Sequence, residues 1–219
     1  MGERIVTGEE MKLLDKQAIE EHGMPSMVLM ERAALAAVGV LRDEGFDLSR
    51  VVAVCGPGNN GGDGIAVARL LRLAGHNVKI VFVGDPAKRS DETRRQQEIA
   101  ESYGLCLSYT DEAFGENEAA DPEGFPTTII DAVFGIGGGR ASGGVFLEAI
   151  RYINACRGHG GKTLAIDIPS GVCADTGAAP GEAVFADVTV TFAYKKAGLT
   201  QPPGLGLAGK IIVADIGIY

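Results

Sequence analysis

Residues 51–64, VVAVCGPGNNGGDG, constrain the fold of this chain more than any other stretch. An apolar run stops at a segment holding five glycines, two adjacent asparagines and one aspartate. Apolar residues then recur at helical spacing (Ile65, Val67, Ala68, Leu70, Leu71, Leu73) until Gly75 closes the pattern. The order is strand, loop, helix, with the polar groups at the junction. Glycines there let backbone N–H groups approach a ligand without an obstructing Cβ. The helix start adds uncompensated donors and a partial positive charge, both suited to phosphate. The junction points to a nucleotide-type site.

The remaining sequence repeats this alternation. Thr7, with Glu10 three residues on, predicts a capping box and a first helix through Met11, Leu14, Ala18 and Ile19. A second, alanine-rich helix is expected from Ser26 to about Glu44. Strands are expected at 51–55, 78–83, 105–109, 127–134, 163–168, 188–192 and 210–214. Helices are expected at 63–74, 88–103 and 144–156, and an acidic, irregular surface segment at 111–125. Buried strands alternating with amphipathic helices predict an α/β fold. It is a doubly wound, mostly parallel, Rossmann-like sheet with helices on both faces and an N-terminal helical extension. At 219 residues the chain is expected to form one domain, residues 1–219. The polar and glycine-rich segments GPGNNGGD, FGIGGGR, IPSG and AYKKAG all follow strands, so a parallel sheet brings them to one edge.

Composition narrows the function classes. The net charge of −9 argues against a nucleic-acid surface. No apolar run approaches membrane-spanning length, and the polar N-terminus does not read as a secretory signal, so a cytoplasmic protein is expected. Four scattered cysteines, Cys55, Cys106, Cys156 and Cys173, lack metal-ligand spacing. No G-x-S-x-G element supports a hydrolase triad.

Individual motifs leave alternatives open. Gly56, Gly58 and Gly61 match G-x-G-x-x-G, and Asp85 stands where a dehydrogenase places its ribose-binding acid. That reading leaves Asn59, Asn60 and Asp63 unexplained, and Asp85-Pro86 equally suits a plain turn. Asp131 ends an apolar run and either caps the next loop or serves the site. Gly137 to Gly139 permit a second close backbone approach, and Arg140 either meets a phosphate or lies on the surface. Asp167, in LAIDIPSGV, is expected to be shielded, with a raised pKa suited to proton transfer, or else to bond local backbone. Lys195 and Lys196 either attract phosphate or sit in solvent.

GPGNNGGDG, DAVFGIG and AIDIPSGV, in this order and spacing, resemble the YjeF N-terminal domain family, whose members act as NAD(P)H-hydrate epimerases. The resemblance extends over nearly the whole chain, to HGMPSMVLME near one end and to VTVTFAYKKAGL and IIVADIGI near the other. It implies a substrate, NADHX or NADPHX, hydrated at C6 of the nicotinamide ring, whose two epimers are interconverted. It implies that Asn59, Asn60, Gly61, Gly62 and Asp63, with Gly135, Ile136, Gly137, Gly138, Gly139, Arg140 and Ala141, line the hydrate site. It further implies that Asp167 faces the ring as the catalytic acid and base, and that Asn60, Asp131 and Ser170 hold a potassium ion. A homodimer and a separate dehydratase in the same pathway are the implied partners. A nucleotide-binding or docking module without turnover, and a reductase using intact NAD(P)H, are the alternatives.

Overall fold

The buried runs become strands whose side chains alternate between two cores. The computed structural model describes residues 4–109, 126–139 and 142–219. In it β1 (Ile5–Val6) leads into α1 (Gly8–Glu20) and α2 (Ser26–Asp43). The chain continues through β2 (Val51–Cys55), α3 (Asn59–Leu73), β3 (Val78–Phe82), α4 (Asp91–Ser102), β4 (Leu107–Tyr109) and β5 (Thr128–Ala132). It ends with α5 (Val145–Gly158), β6 (Lys162–Ile166), β7 (Val188–Phe192), β8 (Lys195–Lys196), α6 (Gly204–Leu207) and β9 (Lys210–Ala214).

Seven strands form a sheet in the order β4-β3-β2-β5-β6-β7-β9, with every neighbouring pair parallel. Along β2, Val51, Ala53 and Cys55 enter the core shared with α2 and α3, while Val52 and Val54 enter the core beneath Ala149, Ile150 and Ile153 of α5. This period of two, with a helical layer on each side, is the expected doubly wound fold. The strand order reverses between β2 and β5, and such a reversal opens a crevice beyond the strand ends. The two strands close tightly there, since a Cβ on Gly56 would lie 2.0 Å from the carbonyl oxygen of Val133.

The N-terminal segment is stitched onto this sheet. Thr7 accepts from the Glu10 N–H at 3.1 Å, and the Thr7 N–H donates to Glu10 Oε2 at 2.7 Å, completing the expected capping box. β1 pairs in parallel with β8, setting Val6 opposite Lys196. The Gly8 N–H donates to Asp175 Oδ1 at 2.6 Å. Ala33, Ala34 and Ala37 of α2 are buried within this same chain.

Boundaries differ where local chemistry overrides pattern. α3 begins at Asn59, four residues before the expected start. The expected helix 88–103 splits into a 3-10 turn at Pro86–Lys88 and α4. Asp85 caps that turn by accepting from the Ala87 N–H at 2.9 Å, and Ser90 caps α4 through the Thr93 N–H at 3.2 Å. The expected irregular segment 111–125 lies outside the described residues. Among the described residues no helix is long and apolar enough to cross a membrane.

Candidate active site

A cleft of about 510 Å³ opens beyond the ends of β2, β5 and β6. α1 contributes Met11, Lys12, Asp15 and Ile19 to it, and the start of α3 contributes Asn59, Asn60 and Asp63. The segment after β5 supplies Phe134 to Gly138, and Asp167 and Lys196 complete its polar lining. Among the described residues the cleft carries more acidic than basic side chains: Asp15, Asp63, Glu92 and Asp167 against Lys12 and Lys196.

Asp167 and Lys196 are locked together. Lys196 is 1% exposed, and its Nζ lies 2.6 Å from Asp167 Oδ1. The same ammonium donates to the Phe192 carbonyl at 2.8 Å, and Thr191 Oγ1 donates to Asp167 Oδ1 at 3.2 Å. The backbone aims the pair. Asp167 has φ +68° just past β6, and Ala193 has φ +59° just past β7. In both places an N–H bonds back two residues, Ile168 to Ile166 at 2.9 Å and Tyr194 to Phe192 at 2.7 Å. These are positive-φ γ-turns, which a side-chain-bearing residue adopts at a cost of about 1–3 kcal/mol. Strain at two adjacent strand ends serves to turn one carboxylate and one ammonium toward each other.

Two further carboxyls face this pair. Burial pushes Asp15 up to about 6, against the pull of Lys196 and with a contribution from Asp167. Burial also pushes Asp63 well above the usual carboxylate range, with Asp167 and Asp15 adding to the rise and Lys196 opposing it.

Asp131 is enclosed separately and does not line the cleft. Its Oδ1 accepts from Ser170 Oγ at 2.6 Å and from the Val133 N–H at 3.3 Å, and its Oδ2 accepts from the Ser170 N–H at 2.8 Å. Burial pushes its carboxyl up to about 6 despite the Ser170 and Val133 hydrogen bonds, which lower it. Ser170 Oγ in turn accepts from the Phe134 N–H at 2.9 Å, tying the end of β5 to the IPSG turn. Asn60 lies against the same segment, 3.2 Å from the position of a Cβ on Gly135, and its buried Nδ2 has no partner.

The sequence model of the family described as YjeF-related protein N-terminus matches residues 26–198. This chain belongs to that family. A relative from Levilactobacillus brevis, named NAD(P)H-hydrate epimerase, is 47% identical over 216 residues, covering 99% of this chain and 95% of its own. A relative of the same name from Limosilactobacillus reuteri is 46% identical over 225 residues, covering 100% and 99%. The crystal structure of yeast ynu0 (YNL200c) superposes with a TM-score of 0.76 at 22% identity, covering 90% of this chain and 83% of that one, and shares the fold.

Within this YjeF-related chain the predicted residues separate into two groups. Asn59, Asn60, Asp63, Gly135, Ile136, Gly137, Gly138 and Asp167 line the cleft. Gly61 and Gly62 do not: a Cβ on Gly61 would meet the Gly56 carbonyl at 1.8 Å, and one on Gly62 would meet Met30 Cε at 2.7 Å. Their absent side chains let the first turn of α3 settle against the loop and α2, which is why the helix starts early. Gly139 packs on Cys173 instead, and Arg140 and Ala141 lie outside the described residues. Asp85 serves as a turn cap and is not part of the cleft.

Sequence reading missed Asp15 and Lys196. Lys196 neither sits in solvent nor offers itself to a phosphate, because Asp167 and Phe192 engage its ammonium. The AYKKAG segment places it at the sheet edge, but nothing there marks Asp167 as its partner. Asp15 carries a signal: it occupies the apolar face of α1 between Met11 and Ala18, both buried.

Proposed function

We infer that this chain is an NAD(P)H-hydrate epimerase, an isomerase interconverting the two C6 epimers of hydrated NADH and NADPH in cofactor repair. The observation that carries the reading is the meeting of three strand-end segments, after β2, β5 and β6, on one cleft floored by a buried ion pair. The relatives that share nearly the full length of the chain bear the same name.

The residues divide the work. The N–H groups of Asn59 and Asn60 precede the first bonds of α3, since the Gly61 N–H already reaches the Gly58 carbonyl at 2.9 Å. They point a helix N-terminus at the cleft and suit the substrate diphosphate. Epimerisation needs the C6 hydroxyl lost, or the ring opened, and oxygen returned to C6 from the other face. Asp167 is the group assigned to exchange a proton there, oriented by its contact with Lys196. Asp167 is buried, as expected, and the ammonium beside it is the feature that the sequence reading did not supply.

A potassium ion fits the residues around Asp131. One carboxylate, the Ser170 hydroxyl and the Asn60 amide oxygen form a hard, weakly charged donor set suited to a monovalent cation. Bound there, the ion would neutralise charge and brace the β5 and β6 turns.

The test is to mix purified protein with one epimer and follow the isomer ratio by chromatography. Epimerisation faster than the uncatalysed rate is expected, with no change in nicotinamide absorbance when carbonyl compounds are added to intact NADPH. Tight nucleotide binding without epimerisation would favour the binding-module alternative.

A further inference from the structure

Inversion at C6 within a fixed ring moves oxygen from one face to the other. The departing hydroxyl needs a proton on its own face, and the incoming water must lose one on the opposite face. A reversible enzyme therefore requires two proton carriers whose roles exchange with direction. Asp167 supplies one, from the end of β6. Among the described residues the cleft's other carboxyls are Asp15, Asp63 and Glu92. Glu92 accepts from Ser26 Oγ at 2.9 Å, at the start of α4. Asp63 stands in the first turn of α3, beside the amides assigned to the diphosphate. Asp15 alone among the acids comes from α1, an element that precedes residue 26, where the family match begins. It has no hydrogen-bonding partner among the bonds described around the cleft, and it is half-buried in the same cleft as Asp167, Asp63 and Lys196, within electrostatic reach of them, while Lys12 stands one turn before it.

We propose that Asp15 is the second proton carrier of the reaction, acting on the face of the ring opposite Asp167. The inference deepens the epimerase reading and rests on it. In one direction Asp15 gives its proton to the C6 hydroxyl, the C6–O bond breaks, water leaves, and the N1 lone pair forms the N1=C6 bond of an iminium. Water then attacks C6 from the other face, its proton passes to the Asp167 carboxylate, and the electron pair returns to N1. No redox change occurs, and one water is exchanged for another. Elevation of the Asp15 carboxyl to about 6 leaves about a tenth of it protonated at pH 7, against about a thousandth for an ordinary aspartate.

The experiment uses one epimer of NADHX in ¹⁸O-water with the full chain and its Asp15→Asn variant. Wild-type protein is expected to incorporate one solvent oxygen per inversion. In D15N, inversion falls by about 100-fold, while the epimer whose hydroxyl faces Asp167 still exchanges its oxygen with retention of configuration. Formate restores inversion to Asp15→Ala, a second variant that reads the same role through chemical rescue. Inversion at the wild-type rate in D15N overturns the proposal, as does equal loss of exchange and inversion, or wild-type inversion without solvent oxygen. A wild-type protein that accelerates neither process overturns the epimerase reading itself, and Asp15's role with it.

Discussion

Asp131 and Asp167 stand at the ends of neighbouring parallel strands, and both are shielded from bulk water, yet they are satisfied in opposite ways. Asp131 is 0% exposed and receives its hydrogen bonds from neutral donors, Ser170 and the Val133 amide. Asp167 is 8% exposed, faces the cleft, and is met by an ammonium. A carboxylate closed in by neutral donors ties two turns together. A carboxylate held by a buried cation at the edge of a cleft is available to a substrate. The same residue type, one strand apart, is built once as a clasp and once as a reagent.

Breaking the ion pair should give the largest effect. Lys196→Met leaves Asp167 buried without its cation, which costs about 3–5 kcal/mol when one partner of such a pair is removed. Epimerisation should fall by roughly 100-fold or more. The double variant K196M/D167N should recover much of the stability and none of the activity, as read by denaturant unfolding and isomer-ratio kinetics. A K196M protein that unfolds at the wild-type denaturant midpoint would break the contrast on the Asp167 side. Asp167→Ala should destabilise the fold as well as stop the reaction, because it strands the buried Lys196.

The clasp should respond more modestly. Ser170→Ala removes the 2.6 Å bond to Asp131 and should cost about 1–3 kcal/mol. In wild-type protein, potassium chloride should raise the melting temperature above that in a lithium salt of equal ionic strength, by binding the native state alone. That difference should shrink in S170A. Equal melting in both salts would remove the cation from the clasp and leave a purely structural carboxylate.

The smallest effect on stability concerns Asp15, whose carboxyl has neither kind of partner among the described residues. Its folded pKa is raised to about 6, above its unfolded value. The native state therefore binds its proton more tightly, and the stability so gained is present below about pH 4 and lost as pH rises through 6. Asp15→Asn should flatten that part of the melting profile between pH 4 and 7, leaving the variant relatively more stable at neutral pH. An unchanged slope would mean that Asp15 is solvated like a surface acid.

Strands were legible wherever apolar runs were bounded by turn residues, most clearly at β2, where burial on both faces writes a continuous hydrophobic run. The start of α3 was not, because Asn-Asn-Gly-Gly has poor helix propensity. Close packing on Gly56 and Met30, invisible in one dimension, overrides it. β1 and β8 span two residues each, too short to show a period. The convergence of the three motif segments followed from parallel topology alone. The partner of Asp167 did not, since 29 positions separate it from Lys196 and only adjacent strand ends bring them together. Asp15 was readable in principle as an acid on an apolar helical face, a local conflict of the kind that functional sites retain.

The two-residue pairing of β1 with β8 bears on how this protein is trimmed or fused. A shortened gene starting at residue 26, where the family match begins, would keep all seven strands of the main sheet while discarding the tether opposite Lys196. Such a truncate should lose the buried Val6, Met11 and Ala18 as well as the grip on the lysine, so it should be less stable as well as less active, and appended tags belong at the carboxyl end, away from the arm that holds it.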